Sequence, residues 1–166
     1  MPGRKSKATS RAGWAAMSTV EFLATAGGLG RSPYAPGTVG SLVGAALSLP
    51  LLGWGWPLHL VAIVVLCAAA LAVSGRAAAE LGQPDPPQVI VDEIAGMSVA
   101  MLALPFQWYD LCAVFMLFRL FDAVKPAPIP RLERLPGGFG IVADDIAAGL
   151  LARLAWWLLK ANFDFL

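Results

Sequence analysis

Charged residues are scarce in this chain. Aspartate, glutamate, lysine and arginine together make up 14% of its 166 residues, whereas about 25% is usual for soluble domains. The formal net charge is only +1, and the cations are dispersed along the sequence. The composition therefore argues against nucleic-acid binding as a main role, because that role requires a concentrated basic surface.

Histidine and cysteine are nearly absent, which narrows the possible chemistry. The single histidine, His59, and the two cysteines, Cys67 and Cys112, form no cluster of the kind that binds zinc. We expect both cysteines to be reduced packing residues, because they lie inside apolar runs. Cys112 and Arg119 are one residue too far apart for the Cys-x5-Arg loop of cysteine phosphatases, and no Asp-x-Asp pair of the aspartyl-phosphatase kind occurs.

Hydrophobic residues are abundant instead, at 58% of the chain. This composition is too apolar for an ordinary soluble domain, so a membrane is the expected solvent. The predicted fold class is all-α: a membrane-embedded bundle of about four to five apolar helices plus a short N-terminal helix, with the number of full crossings left open. The apolar runs are residues 38–56, 58–74, 89–105, 108–124 and 146–159.

The N-terminal residues differ from the rest. Residues 1–13 combine cations with small residues, which predicts a flexible basic tail that can lie on an anionic membrane surface. Residues 14–26 contain Glu21 and are short for a membrane span, so they predict a short interfacial or packed helix. Residues 14–166 are expected to form a single domain.

Most of the charge lies between the fourth and fifth apolar runs. Arg119, Asp122 and Lys125 are spaced by three, so they line one face of a helix. The alternating prolines at 126–130 have no N–H and fix φ, and they favour extended geometry in the residues before them. The pattern therefore predicts a helix that ends at Lys125, followed by an extended arm.

Pairs of acidic residues begin two of the apolar runs. Asp92 and Glu93 lie at the start of the third run, and Asp144 and Asp145 precede the fifth. Glycines within residues 137–140 predict a turn before the second pair, where the backbone can approach a ligand closely.

Each acidic pair has two possible roles. Carboxylates at a helix start are stabilised by the helix dipole by about 0.3–1 kcal/mol, so capping is one role. Two pairs beside Asp122 would repel one another unless a cation neutralises them, and this favours a hard divalent metal ion such as Mg²⁺. The metal-ligand candidates are Asp92, Glu93, Asp144 and Asp145; these residues and Asp122 are the catalytic candidates.

Arg119 and Lys125 are the expected substrate-binding cations. Arginine grips phosphate oxygens in a bidentate manner, and lysine supplies a point charge. Both residues also suit a simpler role, in which they neutralise nearby acids or reach the membrane surface. Thr38 and Gly138 are further substrate-binding candidates, because the backbone N–H groups of such glycine-rich segments can meet a phosphate.

Threading the five runs back and forth through a membrane places every polar motif on one side. The starts of the first, third and fifth runs meet the ends of the second and fourth there. Nearly all lysines and arginines outside the runs share that side, so the positive-inside rule makes it cytoplasmic. His59 falls on the far side, which excludes a phosphohistidine route in this topology.

Four ordered stretches resemble the signature of the phosphatidylglycerophosphatase A family, bacterial membrane enzymes that remove the terminal phosphate from phosphatidylglycerophosphate. They are GLGRSPYAPGTVGS at 28–41, VDEIAGM at 91–97, FRLFDAVKP at 118–126 and GGFGIVADDIAAG at 137–149. The matched positions are Ser32, Pro33, Pro36, Gly37, Thr38, Gly40, Asp92, Glu93, Gly96, Arg119, Phe121, Asp122, Lys125, Pro126, Gly137, Gly138, Gly140, Asp144, Asp145 and Gly149.

The resemblance implies an Mg²⁺-dependent enzyme of phosphatidylglycerol and cardiolipin synthesis. It also implies an integral protein of the bacterial cell membrane, or the inner membrane of a Gram-negative cell, whose partners are phosphatidylglycerophosphate and membrane lipid. We expect Mg-assisted attack of water on the phosphate monoester, with a carboxylate as base. A covalent aspartyl-phosphate on Asp92, Asp144 or Asp145 stays open.

A second class of function also suits acidic and basic residues at helix ends. Such residues can form an ion or metal pathway in a small membrane transporter, or an assembly surface in a membrane complex. A transporter is expected to carry charge on both sides or through its spans. The concentration of charge on one face favours the enzyme.

Overall fold

The computed structural model describes residues 17–162, and all the regular structure in this range is helical. These residues confirm the all-α prediction, whereas the predicted basic tail at 1–13 lies outside them. A 3-10 helix at Leu29–Arg31 connects the first two α-helices. The α-helices are α1 (Thr19–Ala24), α2 (Pro36–Leu52), α3 (Trp56–Leu81), α4 (Val91–Ala100), α5 (Trp108–Val124), α6 (Ile129–Leu132) and α7 (Gly138–Asn162).

Helix α5 ends where the sequence predicts, but the segment after it differs from the prediction. Lys125 adopts the left-handed conformation at the end of α5, with φ +46°. The predicted extended arm is wrong, because α6 follows almost at once. Helix α7 then begins at Gly138, so Asp144 and Asp145 lie about two turns inside it. Capping of the helix start is therefore excluded for this pair.

One helix among the described residues, α3, is long and apolar enough to cross a membrane. Its most apolar 18-residue window has a mean hydropathy of 2.4, and 22% of that window is buried inside the protein. Helix α4 has only 10 residues, which is about 15 Å of helix against a hydrocarbon core of about 30 Å. The membrane-embedded bundle of four to five apolar helices is thus not confirmed beyond α3.

Helix α4 is the centre of the fold. Every residue in it except Glu93 is buried, and it packs against α2, α3 and α7. Glycines allow the close contact with α7: a Cβ on Gly96 would lie 2.5 Å from the Asp145 carbonyl oxygen, and one on Gly149 would lie 2.2 Å from the Gly96 carbonyl oxygen. This close approach brings the start of α4 beside Asp145.

Replacing Gly149 with alanine is expected to destabilise the protein by about 1–3 kcal/mol, because the new methyl group forces α4 and α7 apart. The matched control is Gly53→Ala, since a Cβ at Gly53 would have only one neighbouring atom, at 3.7 Å. Thermal unfolding of both variants in detergent measures the difference. Equal unfolding temperatures for the two variants would contradict this account of the α4–α7 contact.

A separate polar cluster joins α5 to α7 at the opposite end of α5. Asp110 is fully buried and accepts hydrogen bonds from Trp156 Nε1 at 2.6 Å and from Lys160 Nζ at 3.0 Å. Arg153 donates to the carbonyl oxygens of Leu102 and Ala103, just beyond the end of α4. These contacts fix the end of the bundle that lies away from the predicted site.

The two cysteines are both free, as the sequence predicts. Cys67 is half-buried, and Cys112 is exposed. Neither lies beside the predicted site residues in the cavity described below.

Candidate active site

A cavity of about 310 Å³ lies where most of the predicted site residues meet. The starts of α2 and α4, the end of α5, the loop after α3 and the first turns of α7 all contribute to its wall. This convergence agrees with the back-and-forth threading of the chain. The predicted charged residues that line the cavity are Asp92, Glu93, Arg119, Asp122, Lys125, Asp144 and Asp145.

Three of the carboxylates form a close group, which we call the acidic triad: Asp92, Glu93 and Asp145. One oxygen from each lies within 4.8 Å of the others. Asp92 and Glu93 come from the first turn of α4, and Asp145 comes from α7. The glycine contacts between these helices hold the three side chains together.

Burial makes the acidic triad difficult to ionise. Asp145 is 4% exposed and Asp92 is 5% exposed. Burial, and then the charge of Asp92, raises the pKa of Asp145 well above its usual value. Burial, and then the charge of Glu93, has the same effect on the pKa of Asp92, and burial raises the pKa of Glu93. The triad therefore requires a compensating positive charge if all three groups are to be ionised at neutral pH.

Two oxygens of the triad also need a partner. Asp92 Oδ1 and Glu93 Oε2 are buried and make no hydrogen bond with the described residues. A buried carboxylate oxygen without a partner is costly. A hard divalent cation such as Mg²⁺ prefers oxygen ligands and would satisfy both oxygens. The triad thus fits Mg²⁺ by ligand type, charge and spacing.

Asp144 lies outside the triad, although the sequence places it among the metal ligands. Its Oδ2 accepts a hydrogen bond from Lys125 Nζ at 2.6 Å, and Lys125 also pairs with Glu133. Burial lowers the pKa of Lys125, but the hydrogen bonds with these two carboxylates outweigh burial and raise it above its usual value. Lys125 is therefore a fixed positive charge. Asp144 Oδ1 stays buried without a partner.

Arg119 is held in place by side chains on two helices. Its Nη1 donates to Asp122 Oδ2 at 2.5 Å, one turn along α5, and to Ser41 Oγ at 3.3 Å on α2. Ser41 is fully buried and donates to the Gly37 carbonyl oxygen. A Cβ on Gly37 would lie 2.6 Å from Glu93 Oε1 and 3.2 Å from Arg119 Nη1. The missing side chain at Gly37 therefore leaves the room that these two groups occupy.

Comparison with known proteins identifies the family. Residues 22–160 match the sequence profile described as Phosphatidylglycerophosphatase A. The chain belongs to the phosphatidylglycerophosphatase A family. Two relatives carry that name: a Haemophilus influenzae protein is 32% identical over 86% of this chain and 93% of its own, and an Escherichia coli K12 protein is 33% identical over 79% and 77%.

A third relative has a different name. A Bacteroides thetaiotaomicron protein, provisionally named a phosphatidylinositol-3-phosphatase, is 34% identical over 83% of this chain and 94% of its own. No solved structure matches the chain. Sequence comparison alone therefore establishes that this chain belongs to the phosphatidylglycerophosphatase A family.

Two of the four predicted substrate-binding residues, Thr38 and Gly138, lie outside the 310 Å³ cavity, which we call the acidic cavity. Thr38 is in the first turn of α2, and Gly138 packs against α3, where a Cβ would lie 2.3 Å from the Leu71 carbonyl oxygen. Neither residue lines the acidic cavity. The contact of Gly138 with α3 gives it a structural reason to be glycine.

Sequence reasoning missed two residues near the cavity. Asp85, from the proline-rich loop after α3, lines it, and Ser41 anchors Arg119. A signal for Ser41 was present: small residues recur along one face of α2 at 37, 41, 44 and 48, as helices that pack closely require. No comparable signal marks Asp85.

Proposed function

We propose that this protein hydrolyses the terminal phosphate monoester of phosphatidylglycerophosphate and gives phosphatidylglycerol and inorganic phosphate. The observation that carries the proposal is the acidic cavity itself, in a chain of this family. There the unpaired oxygens of the acidic triad line the same cavity as two cations, Arg119 and Lys125. Cations and a metal ion together can offset the negative charge of a phosphate monoester.

Mg²⁺ is the proposed cofactor, and Asp92, Glu93 and Asp145 are the proposed ligands. When bound, Mg²⁺ supplies charge that offsets the phosphate oxygens and lowers the pKa of a water molecule. The three carboxylates hold the ion without large rearrangement, because packing between α4 and α7 already brings their oxygens together.

Arg119 and Lys125 bind the phosphate in this proposal. One guanidinium nitrogen of Arg119, Nη1, donates to Asp122 and Ser41, so the orientation of Arg119 is fixed before the substrate arrives. Lys125 presents a charge that burial has not neutralised. Pre-oriented cations cost little reorganisation when negative charge develops in the transition state.

Asp144 is the proposed proton acceptor. Its Oδ1 is buried without a partner, while Lys125 holds its Oδ2. Burial raises the pKa of Asp144, although the hydrogen bond from Lys125 opposes this effect, so the carboxylate is a stronger base than a free aspartate. Asp144 accepts a proton from the attacking water as the water oxygen bonds to phosphorus, the bond between phosphorus and the ester oxygen breaks, and the proton passes from Asp144 to the departing glycerol oxygen. Covalent attack on phosphorus by the same oxygen of Asp144 is the alternative route.

The proposed location is the membrane, with the active site on the cytoplasmic side. Helix α3 is apolar enough to span, and its side chains at Leu58, Val61 and Val65 are 49–63% exposed. Further large apolar side chains are exposed on α5 and α7, including Met116 and Leu150. Such a surface favours contact with lipid tails. The distribution of lysine and arginine supports the cytoplasmic orientation.

The transporter alternative receives less support. The charged residues of α3 are Arg76 and Glu80, both in its last two turns, so the candidate span has no charged pathway along its length. The acidic triad lies instead at one end of the bundle. The family match also favours a phosphatase.

Inorganic phosphate release from lipid substrates tests the proposal. The purified protein in detergent micelles with Mg²⁺ is expected to release one phosphate per phosphatidylglycerophosphate and to leave phosphatidylglycerol, as chromatography of the lipid shows. Phosphatidic acid and phosphatidylinositol 3-phosphate serve as comparison substrates. The kcat/KM for each is expected to be lower than that for phosphatidylglycerophosphate by at least about tenfold. Faster release from phosphatidylinositol 3-phosphate would replace the proposed substrate with the one in the third relative's name.

A further inference from the structure

A second cavity, of about 610 Å³, lies beside the acidic cavity and has no role in the reaction described above. Asp85, Ile141 and Asp144 line both cavities, so the two share a wall. We infer that the second cavity binds the glycerol of the headgroup, the hydroxylated unit that is bonded to the reacting phosphate. This inference rests on the proposed function and assigns the subsite that recognises the rest of its substrate.

The position of the second cavity suits a lipid headgroup. Its wall includes the last turns of α3, the candidate membrane span, where Gly75, Ala78, Ala79 and Gly82 leave space that larger side chains would fill. A lipid whose tails lie along α3 would carry its headgroup past this end of the helix. The reacting phosphate would then lie in the adjoining acidic cavity, beside the residues that line both.

The chemistry of the second cavity suits hydroxyl groups better than a second phosphate. Gln83, Asp85 and Glu133 place acceptor oxygens in its wall. None of the described residues that line it is a lysine or an arginine. Carboxylates repel a phosphate but accept hydrogen bonds from hydroxyls, so the free hydroxyl of the headgroup glycerol fits this wall, and the anionic phosphodiester that joins the glycerol to the rest of the lipid lies outside it. The volume is within the usual range of about 300–1,000 Å³ for small-molecule sites.

Lys125 marks the border between the two cavities. It contacts Asp144, which both cavities share, and Glu133, which lines only the second. A phosphate held by Lys125 on the acidic side therefore directs its ester oxygen toward the second cavity, where the glycerol hydroxyl meets the acceptor oxygens. The two cavities together bind the phosphate and the glycerol that bears it.

Filling the second cavity tests the inference. Ala79 is exposed and lines the cavity, so Ala79→Phe places a ring in it without disturbing the core. The matched control is Ala72→Phe, which makes the same change seven residues earlier on the same exposed face of α3, outside both cavities. The readouts are KM for phosphatidylglycerophosphate and the inhibition constants of sn-glycerol 3-phosphate and inorganic phosphate.

Ala79→Phe is expected to raise KM and the inhibition constant of sn-glycerol 3-phosphate by about tenfold, and to leave that of inorganic phosphate within about twofold. Ala72→Phe is expected to change none of them. If Ala79→Phe unfolds, Gln83→Ala, in the exposed loop after α3, is expected to shift the same two constants by about threefold.

The outcomes separate the two claims. Wild-type hydrolysis that Ala79→Phe and Gln83→Ala both leave unchanged would overturn the subsite alone. Equal losses for glycerol phosphate and inorganic phosphate would also overturn it, because the damage would then lie in the acidic cavity. No phosphate release by the wild-type protein would overturn the proposed function and, with it, the inference.

Discussion

Replacing Asp145 with asparagine is expected to lower kcat by about 100-fold or more and to abolish stabilisation of the protein by Mg²⁺. The change keeps the shape of the side chain and removes one of three negative charges from the acidic triad. Metal affinity depends on those charges, because a hard divalent cation needs anionic oxygen ligands. The measurements are phosphate release and the unfolding temperature with and without Mg²⁺.

Without metal, the same variant is not expected to be less stable than the wild type. Burial and the charge of Asp92 disfavour ionisation of Asp145, so the asparagine variant without metal is expected to be at least as stable as the wild type. With Mg²⁺ at 100 times its dissociation constant, the wild type is expected to gain about 2.7 kcal/mol that the variant lacks.

Asp110→Asn is the matched control, because it changes another buried carboxylate at the opposite end of α5. It removes the charge partner of Lys160, so the control is expected to lose stability and keep both its stabilisation by Mg²⁺ and its kcat per folded molecule. If Asp145→Asn keeps both properties, the acidic triad is not the metal site.

Replacing Lys125 with alanine is expected to lower kcat/KM by about 100-fold. Lys125 is the cation between Asp144 and Glu133, and its loss removes the positive charge that we propose binds the phosphate. Lys125→Arg keeps the charge and the same left-handed backbone at the end of α5, so it is expected to recover most of the activity. Steady-state kinetics on phosphatidylglycerophosphate compares the two variants.

Lys160→Ala controls for the loss of a lysine that pairs with a buried aspartate. Lys160 bonds to Asp110, away from the acidic cavity, so its removal is expected to cost stability and leave kcat/KM per folded molecule within about threefold. A similar loss of activity in Lys125→Ala and Lys160→Ala would mean that Lys125 acts through stability alone.

Much of the site follows from the alternation of helices along the chain. Apolar runs that reverse direction must bring alternate ends together, so the sequence alone predicts that the acids at 92–93 and 144–145 lie beside the cations at 119–125. The end of α5 at Lys125 follows equally directly, because the prolines after it cannot continue a helix.

The start of α7 could not be predicted, because helix packing overrides local preference there. Glycines at 137–140 predict a turn by propensity. In the folded protein Gly138 and Gly140 lie in the first turn of α7, where Gly138 contacts the Leu71 carbonyl oxygen of α3. The contact is specific to this packing, and nothing local in the sequence encodes it.

The separate roles of the two residues in each acidic pair depend on helix packing that the local sequence does not specify. Adjacent residues on a helix diverge by about 100°, so the sequence indicates that Asp144 and Asp145 face different partners without saying which partner belongs to which. The packing of α4 on α7 turns Asp145 toward Asp92 and leaves Asp144 facing Lys125. In the other pair, both Asp92 and Glu93 belong to the triad.

The central claim is that the acidic triad holds a divalent cation which phosphate release requires. The most direct measurement is phosphate release from phosphatidylglycerophosphate by the purified protein in detergent, first after treatment with a chelator and then after Mg²⁺ is added back. No release is expected in the chelator, and full recovery is expected with Mg²⁺. Release at the same rate in both conditions, by protein shown to be folded, would contradict it.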